Sequence, residues 1–125
     1  MRSLESQPGK GGAMMHVVNT TELAGTTSRQ FEGYHYGDVP VSFFVSATPP
    51  GRGPSLHMHP YAEVFVVQSG RLTFVVGDAT VEATAGQIIV VPAETPHKFT
   101  NTGSAVAQHI DIHTSSQMKT TWLEV

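Results

Sequence analysis

His57 and His59 stand one residue apart in HMH, Glu63 follows four residues later, and the three lead into the apolar run Val64 to Val67. Imidazole and carboxylate are costly to hide from water unless something pairs with them or binds them. In an extended segment alternate side chains share a face, which sets His57 and His59 about 6.6–6.8 Å apart along the strand, able to converge on one ion. Glu63, beyond the kink at Pro60, can enter from the adjacent turn or strand, and His97, just after Pro96, opens a later strand. Three imidazoles and one carboxylate suit one divalent first-row transition metal: Fe, Mn, Ni, Co, Cu or Zn. Four such ligands leave two positions of an octahedral ion open, as catalysis requires.

Composition narrows the alternatives. The chain has no cysteine, which removes disulfides, thiolate ligands and thiol nucleophiles. The net charge is −3, and the seven Lys and Arg are spread along the chain. No basic patch could track a phosphate backbone, so nucleic acid is not an expected partner. No apolar stretch reaches the roughly eighteen residues a membrane span needs, and the N-terminus lacks the apolar stretch of a signal peptide. A cytoplasmic protein with no membrane partner is the expectation. At 125 residues the chain suits a single domain. Residues 1–13, polar and rich in Gly, Ser and Lys, read as a flexible tail or cloning remnant, and residues 14–125 as the domain.

From Tyr34 onward short β-prone runs alternate with turn signals, which predicts an all-β sandwich or barrel. The runs are Val41 to Ala47, Glu63 to Gln68, Leu72 to Val76, Thr80 to Ala83, Ile88 to Val91, His97 to Asn101 and Ala105 to His113. Gly, Pro, Asn or Asp separates each from the next, where the backbone must reverse. One weak helical turn is expected near Asn19 to Ala24. Phe65 to Val67 and Ile88 to Val91 are apolar at successive positions, so they ask for cover on both faces. A closed barrel whose outer face meets a second copy supplies it, and a homodimer is the expectation.

The two clusters of candidate ligands sit in segments that resemble the cupin superfamily. Its first motif, Gly, five residues, His-X-His, three or four residues, Glu, six residues, Gly, is met at Gly51, His57, His59, Glu63 and Gly70. The second, Gly, five residues, Pro-X-Gly, two residues, His, three residues, Asn, is met at Gly86, Pro92, His97 and Asn101, with Glu94 where glycine is usual. A residue there either adopts a positive φ at a cost or changes the turn. The resemblance implies an all-β double-stranded β-helix, a jelly-roll barrel, binding one metal through His57, His59, Glu63 and His97. Cupins include dioxygenases, decarboxylases, isomerases and non-catalytic binders, so the fold alone names no reaction.

A metal-dependent enzyme, for example a dioxygenase, acting on a small oxygenated molecule is the expected function. The alternative is a metal-assisted module that binds or senses a small ligand without turning it over. Candidates for proton transfer are His109, His113, Tyr61 and Glu94; candidates for substrate contact are Arg52, Gln68 and Phe99. In HIDIH, His109, Asp111 and His113 share one face and Ile110 and Ile112 the other. Inward packing of the isoleucines is expected, leaving the polar row to solvent or a dimer partner; the reverse would bring the histidines beside the metal. Tyr61 is expected to keep its hydroxyl in water, and Gln68 and Arg52 to face solvent. Phe99 shares the inward parity of His97 and reads as pocket wall or core.

Overall fold

The computed structural model describes residues 4–8 and 14–124. Of the expected tail, residues 1–3 and 9–13 lie outside the described residues, while Leu4–Pro8 (β1) pairs antiparallel with Met14–Val17 (β2). A 3-10 turn at Thr20–Glu22 falls where the weak helical signal lay. The remaining strands are Ser28–Glu32 (β3), Ser42–Thr48 (β4), His57–Met58 (β5), Glu63–Ser69 (β6), Arg71–Val76 (β7), Ala79–Thr84 (β8), Ile88–Val91 (β9), His97–Asn101 (β10), Ala107–His113 (β11) and Thr121–Trp122 (β12). They form two antiparallel five-stranded sheets, in the orders β12-β5-β10-β7-β8 and β3-β4-β11-β6-β9. Among the described residues no helix is long and apolar enough to cross a membrane.

The inner faces of the two sheets meet. Alternation along each strand decides what they bring, because every second side chain points inward. At one end the inward residues are apolar: Phe65 and Val67 from β6, Leu72 and Phe74 from β7, Phe99 from β10 and Ala107 from β11 form one buried cluster. Phe65 bridges the sheets, its ring 4.9 Å from Phe74 and 5.7 Å from Phe99 in edge-on contacts. Burying each such ring contributes about 2–3 kcal/mol. Toward the other end the same strands turn polar, since Glu63 heads β6, His97 heads β10, and His109, Asp111 and His113 end β11, all buried.

This parity corrects the expectation for HIDIH. Ile110 and Ile112 pack outward, half-buried, and the three polar side chains face the interior. Register is the reason: Ala107 belongs to the apolar cluster, and a period of two carries positions 109, 111 and 113 to the same face. The outer face is apolar, as expected, but bare at its edge, where Ile88 and Val90 on β9 are 60% and 62% exposed.

Two turns explain motif positions. Gly70 has φ +84°, and a Cβ there would lie 2.8 Å from the Cα of Ala107, so both conformation and space demand glycine. Glu94 adopts the usual glycine's conformation, with φ +60°, while its N–H donates to the carbonyl of His59 at 2.8 Å. The turn thus has the left-handed conformation that favours glycine, and a glutamate bears it. Asn101 closes the second motif from a buried position: its amide donates to the Thr48 and Ala105 carbonyls, and its oxygen accepts from the Gly103 N–H. Replacing Glu94 with Gly should relieve the left-handed strain and stabilise the protein by about 1 kcal/mol, read as a rise in the urea midpoint at constant m-value. No change, or a fall, would contradict the strain at this turn.

Candidate metal centre

Each histidine of the expected ligand set is aimed by the backbone. The Nδ1 of His57 lies 2.7 Å from the Ser55 carbonyl, that of His59 2.8 Å from the Lys119 carbonyl, and that of His97 2.8 Å from the Thr95 carbonyl. A carbonyl only accepts, so all three Nδ1 atoms carry the proton and each Nε2 is the atom turned to the interior. Register assists, because β5 and β10 pair His57 directly with His97. The ligand atoms of His57, His59, Glu63 and His97 all lie within 4.8 Å of one another, and all four residues are buried.

The chemistry of this cluster is lopsided. The Nε2 of His59 stands 3.0 Å from Glu63 Oε1 yet has no hydrogen-bond partner. With its proton on Nδ1 it offers a lone pair to a carboxylate, a repulsive arrangement until a cation stands between them. His97 Nε2 lies 3.1 Å from the same oxygen. It can satisfy that contact and the Thr95 carbonyl together only as an imidazolium, and although burial lowers its pKa, bonding to Glu63 and to Thr95 outweighs burial and raises it. Burial, and to a smaller degree the charge of His97 beside it, lowers the pKa of His57, despite its bond to the Ser55 carbonyl. Burial would raise the Glu63 carboxyl, but the bonds from His113 and His97 and the charge around it hold it far below the usual carboxylate range. Nitrogen and oxygen ligand atoms converge here, and a divalent cation that displaces the His97 Nε2 proton fits them.

The other oxygen of Glu63 is held separately. The Lys119 N–H donates to the Tyr61 hydroxyl at 3.1 Å, that hydroxyl donates to His113 Nδ1 at 2.6 Å, and His113 Nε2 reaches Glu63 Oε2 at 3.2 Å. Each link has one donor and one acceptor, so His113 bears its proton on Nε2 and serves Glu63 rather than an ion. Tyr61 thus departs from its expectation: its hydroxyl is engaged, not in water. Its pKa is pushed up to about 12, chiefly by burial.

The cluster opens on a cavity of about 490 Å³, walled by Phe44, Phe99 and Trp122, with Arg52 also lining it. Of the candidates for substrate contact, Phe99 and Arg52 therefore reach the cavity; Gln68 lies exposed on the outer face of β6 and does not. Of the proton-transfer candidates, His113 lines the cavity and Tyr61 stands behind it. His109 is fully buried in its wall, and Glu94 is exposed on its turn. Sequence reading missed Thr48, Asp111 and the segment Lys119 to Trp122. Asp111 was signalled by the alternation of HIDIH; the C-terminal segment carries no periodic pattern.

Residues 44–113 match the family described as Cupin domain, more than half of the chain, and the protein belongs to that family. Solved structures agree on the fold. Bacillus subtilis oxalate decarboxylase, in a structure concerned with its Mn(II) centres, superposes with a TM-score of 0.75 at 18% identity, covering 86% of this chain and 32% of that one. Lactobacillus farciminis oxalate decarboxylase in its formate complex gives a TM-score of 0.74 at 17% identity, covering 86% and 36%. A conserved protein of unknown function from Streptococcus pyogenes gives 0.57 at 20% identity, covering 64% and 68%. This chain spans only 27–36% of the length of the oxalate decarboxylase chains it matches. No curated protein matches the sequence.

Trp122, the one tryptophan in the chain, lies with its ring 5.0 Å from His57 and reports on the site. Ni(II) or Cu(II) should quench its fluorescence. Because the imidazoles must be deprotonated to bind, the metal concentration for half quenching should rise as pH falls through the range in which histidines take up protons, the raised pKa of His97 making the proton a stronger competitor. Glu63→Gln should raise that concentration more than about tenfold. Quenching that ignores both pH and Glu63 would place the metal elsewhere.

Proposed function

We propose that His57, His59 and His97, through Nε2, and Glu63, through Oε1, hold one divalent first-row transition metal, and that the protein is an enzyme acting on a small oxygenated molecule admitted to the adjoining cavity. The observation that carries the reading is the convergence of buried ligand atoms, three imidazoles with Nδ1 turned to carbonyls and a carboxylate kept ionised. Bound there, such an ion supplies Lewis-acid or redox chemistry. The residues around it do the rest. Phe44, Phe99 and Trp122 offer flat apolar walls, and Arg52 offers a guanidinium to an anionic group. The Tyr61–His113 chain keeps Glu63 from rotating. The Mn(II) of the Bacillus subtilis neighbour and the formate of the Lactobacillus one make manganese and small carboxylates the first choices to try.

The test loads the protein with Mn(II), Fe(II) or Ni(II) and follows oxygen uptake, carbon dioxide release and product formation with small hydroxy- and oxo-acids, in wild type and His97→Ala. Turnover that His97→Ala abolishes together with metal content supports the enzyme. Absence of turnover with every metal, with small-molecule binding that survives metal removal, would make it a binding module instead.

We also propose that the protein is a homodimer joined through the outer face of β4, β11, β6 and β9. Phe43, Val45, Val64, Val66, Ile110 and Ile112 form an apolar surface there, continued by the exposed Ile88 and Val90. Sedimentation should give a dimer at micromolar concentration and a monomer for the double substitution Ile88→Lys, Val90→Lys. A monomeric wild type would contradict it.

A further inference from the structure

Thr48, His109 and Asp111 are joined in the cavity wall, and neither the metal cluster nor the Tyr61 chain uses them. His109 Nδ1 lies 2.5 Å from Asp111 Oδ1, and His109 Nε2 lies 2.8 Å from Thr48 Oγ1. The proton arrangement that satisfies both puts Nδ1–H on the carboxylate and the threonine O–H on Nε2. Thr48 and Asp111 both line the cavity that His57, His59 and Glu63 also line. No described residue bonds to Asp111 Oδ2, and that oxygen is not among the fully enclosed polar atoms, so it opens on the cavity.

The carboxyl satisfies the buried His109 Nδ1–H with one oxygen and leaves the other without a partner among the described residues. Its register partners on the flanking strands are Phe44 and Phe65, against which an apolar side chain would pack. The charged and titratable groups that face it are His109 and His113 on its own strand, Glu63 from β6 and His97 from β10. Among these only His109 bonds to it. Burial raises its pKa, and the bond from His109 opposes that rise. The result is a carboxyl whose one free oxygen faces a cavity, braced from behind by a fully buried imidazole that is itself anchored.

We propose that Asp111 takes a proton from, and returns it to, a weakly acidic oxygen of a small molecule bound in this cavity, with His109 and Thr48 positioning it. The inference rests on the metal-binding reading above. In the forward step the O–H bond of the bound molecule breaks, its proton passes to Asp111 Oδ2, and the electron pair stays on the oxygen that faces the cationic centre. The reverse step restores both. The ligand class is therefore small hydroxylated molecules that are neutral acids in solution and bind as oxyanions, such as hydroxamic or 2-hydroxy carbonyl compounds. His109 and Thr48 do not touch the reacting oxygen; they fix the face that Asp111 presents.

Acetohydroxamic acid, uncharged at neutral pH, serves as the probe, and calorimetry of its binding to manganese-loaded protein in buffers of different ionisation heat counts the protons released. Wild type should release almost none, because Asp111 keeps the proton, whereas Asp111→Asn should release about one per bound probe at unchanged manganese content. In His109→Phe the carboxyl loses its donor, so the pH midpoint of proton capture should move upward; a purely structural role for His109 would leave it in place. A wild type that releases a full proton, equal counts in wild type and Asp111→Asn, or no binding of the hydroxamate overturns the assignment while the metal centre stands. The wild-type count decides even should the variants fail to fold. Failure of the protein to take up manganese would defeat the metal centre and this inference together.

Discussion

The carboxylate of Glu63, 3% exposed and ionised, is the constraint around which the site is arranged. A buried charge without partners would cost several kcal/mol, and the chain surrounds this one with imidazoles from three other strands or turns: His59 beside it, His97 from β10 and His113 from β11. One oxygen looks to the cluster of Nε2 atoms and the other to His113. The division gives each oxygen its own partners. It also explains why the inner strands become polar at one end: Glu63, His97 and His113 can meet only where the apolar cluster of Phe65, Phe74 and Phe99 stops.

The segment after β11 completes the arrangement. β5 is only two residues long and is held between β10 and β12, so the candidate ligand His57 depends on the last described strand. Lys119 accepts from His59 with its carbonyl and donates to Tyr61 with its N–H, reaching both the His59 side and the His113 side of Glu63. Trp122 lies against His57, and Glu124 accepts from the Leu56 N–H and pairs with Lys98 near the end of the strap. Backbone carbonyls, which never change protonation, thus fix the tautomer of all three candidate ligands.

The clustering of the four candidate ligands and most strands were legible in the sequence because spacing and period of two are local properties. His57 and His59 face one way on any strand, and Ile88–Val91 and His97–Asn101 fall where β-prone runs lie between turn signals. What was not legible depended on pairing at a distance. The inward face of HIDIH is set by which strand flanks Ala107, not by HIDIH itself, so Asp111 and its neighbours changed sides. Tyr61 acquires its partners from Lys119 and His113, over fifty residues away along the chain. β12 is too short to show a period, and it carries the wall residue Trp122. The departure at Glu94 was visible as a residue out of place; only the backbone shows that the turn kept its shape and the glutamate took the strain.

Anomalous diffraction from crystals of the manganese- or nickel-loaded protein tests the central claim most directly. One peak per chain should lie roughly 2.0–2.2 Å from the Nε2 atoms of His57, His59 and His97 and from Oε1 of Glu63, with Glu63 Oε2 still bonded to His113. A peak at any other group of residues, or none at saturating metal, would contradict the account.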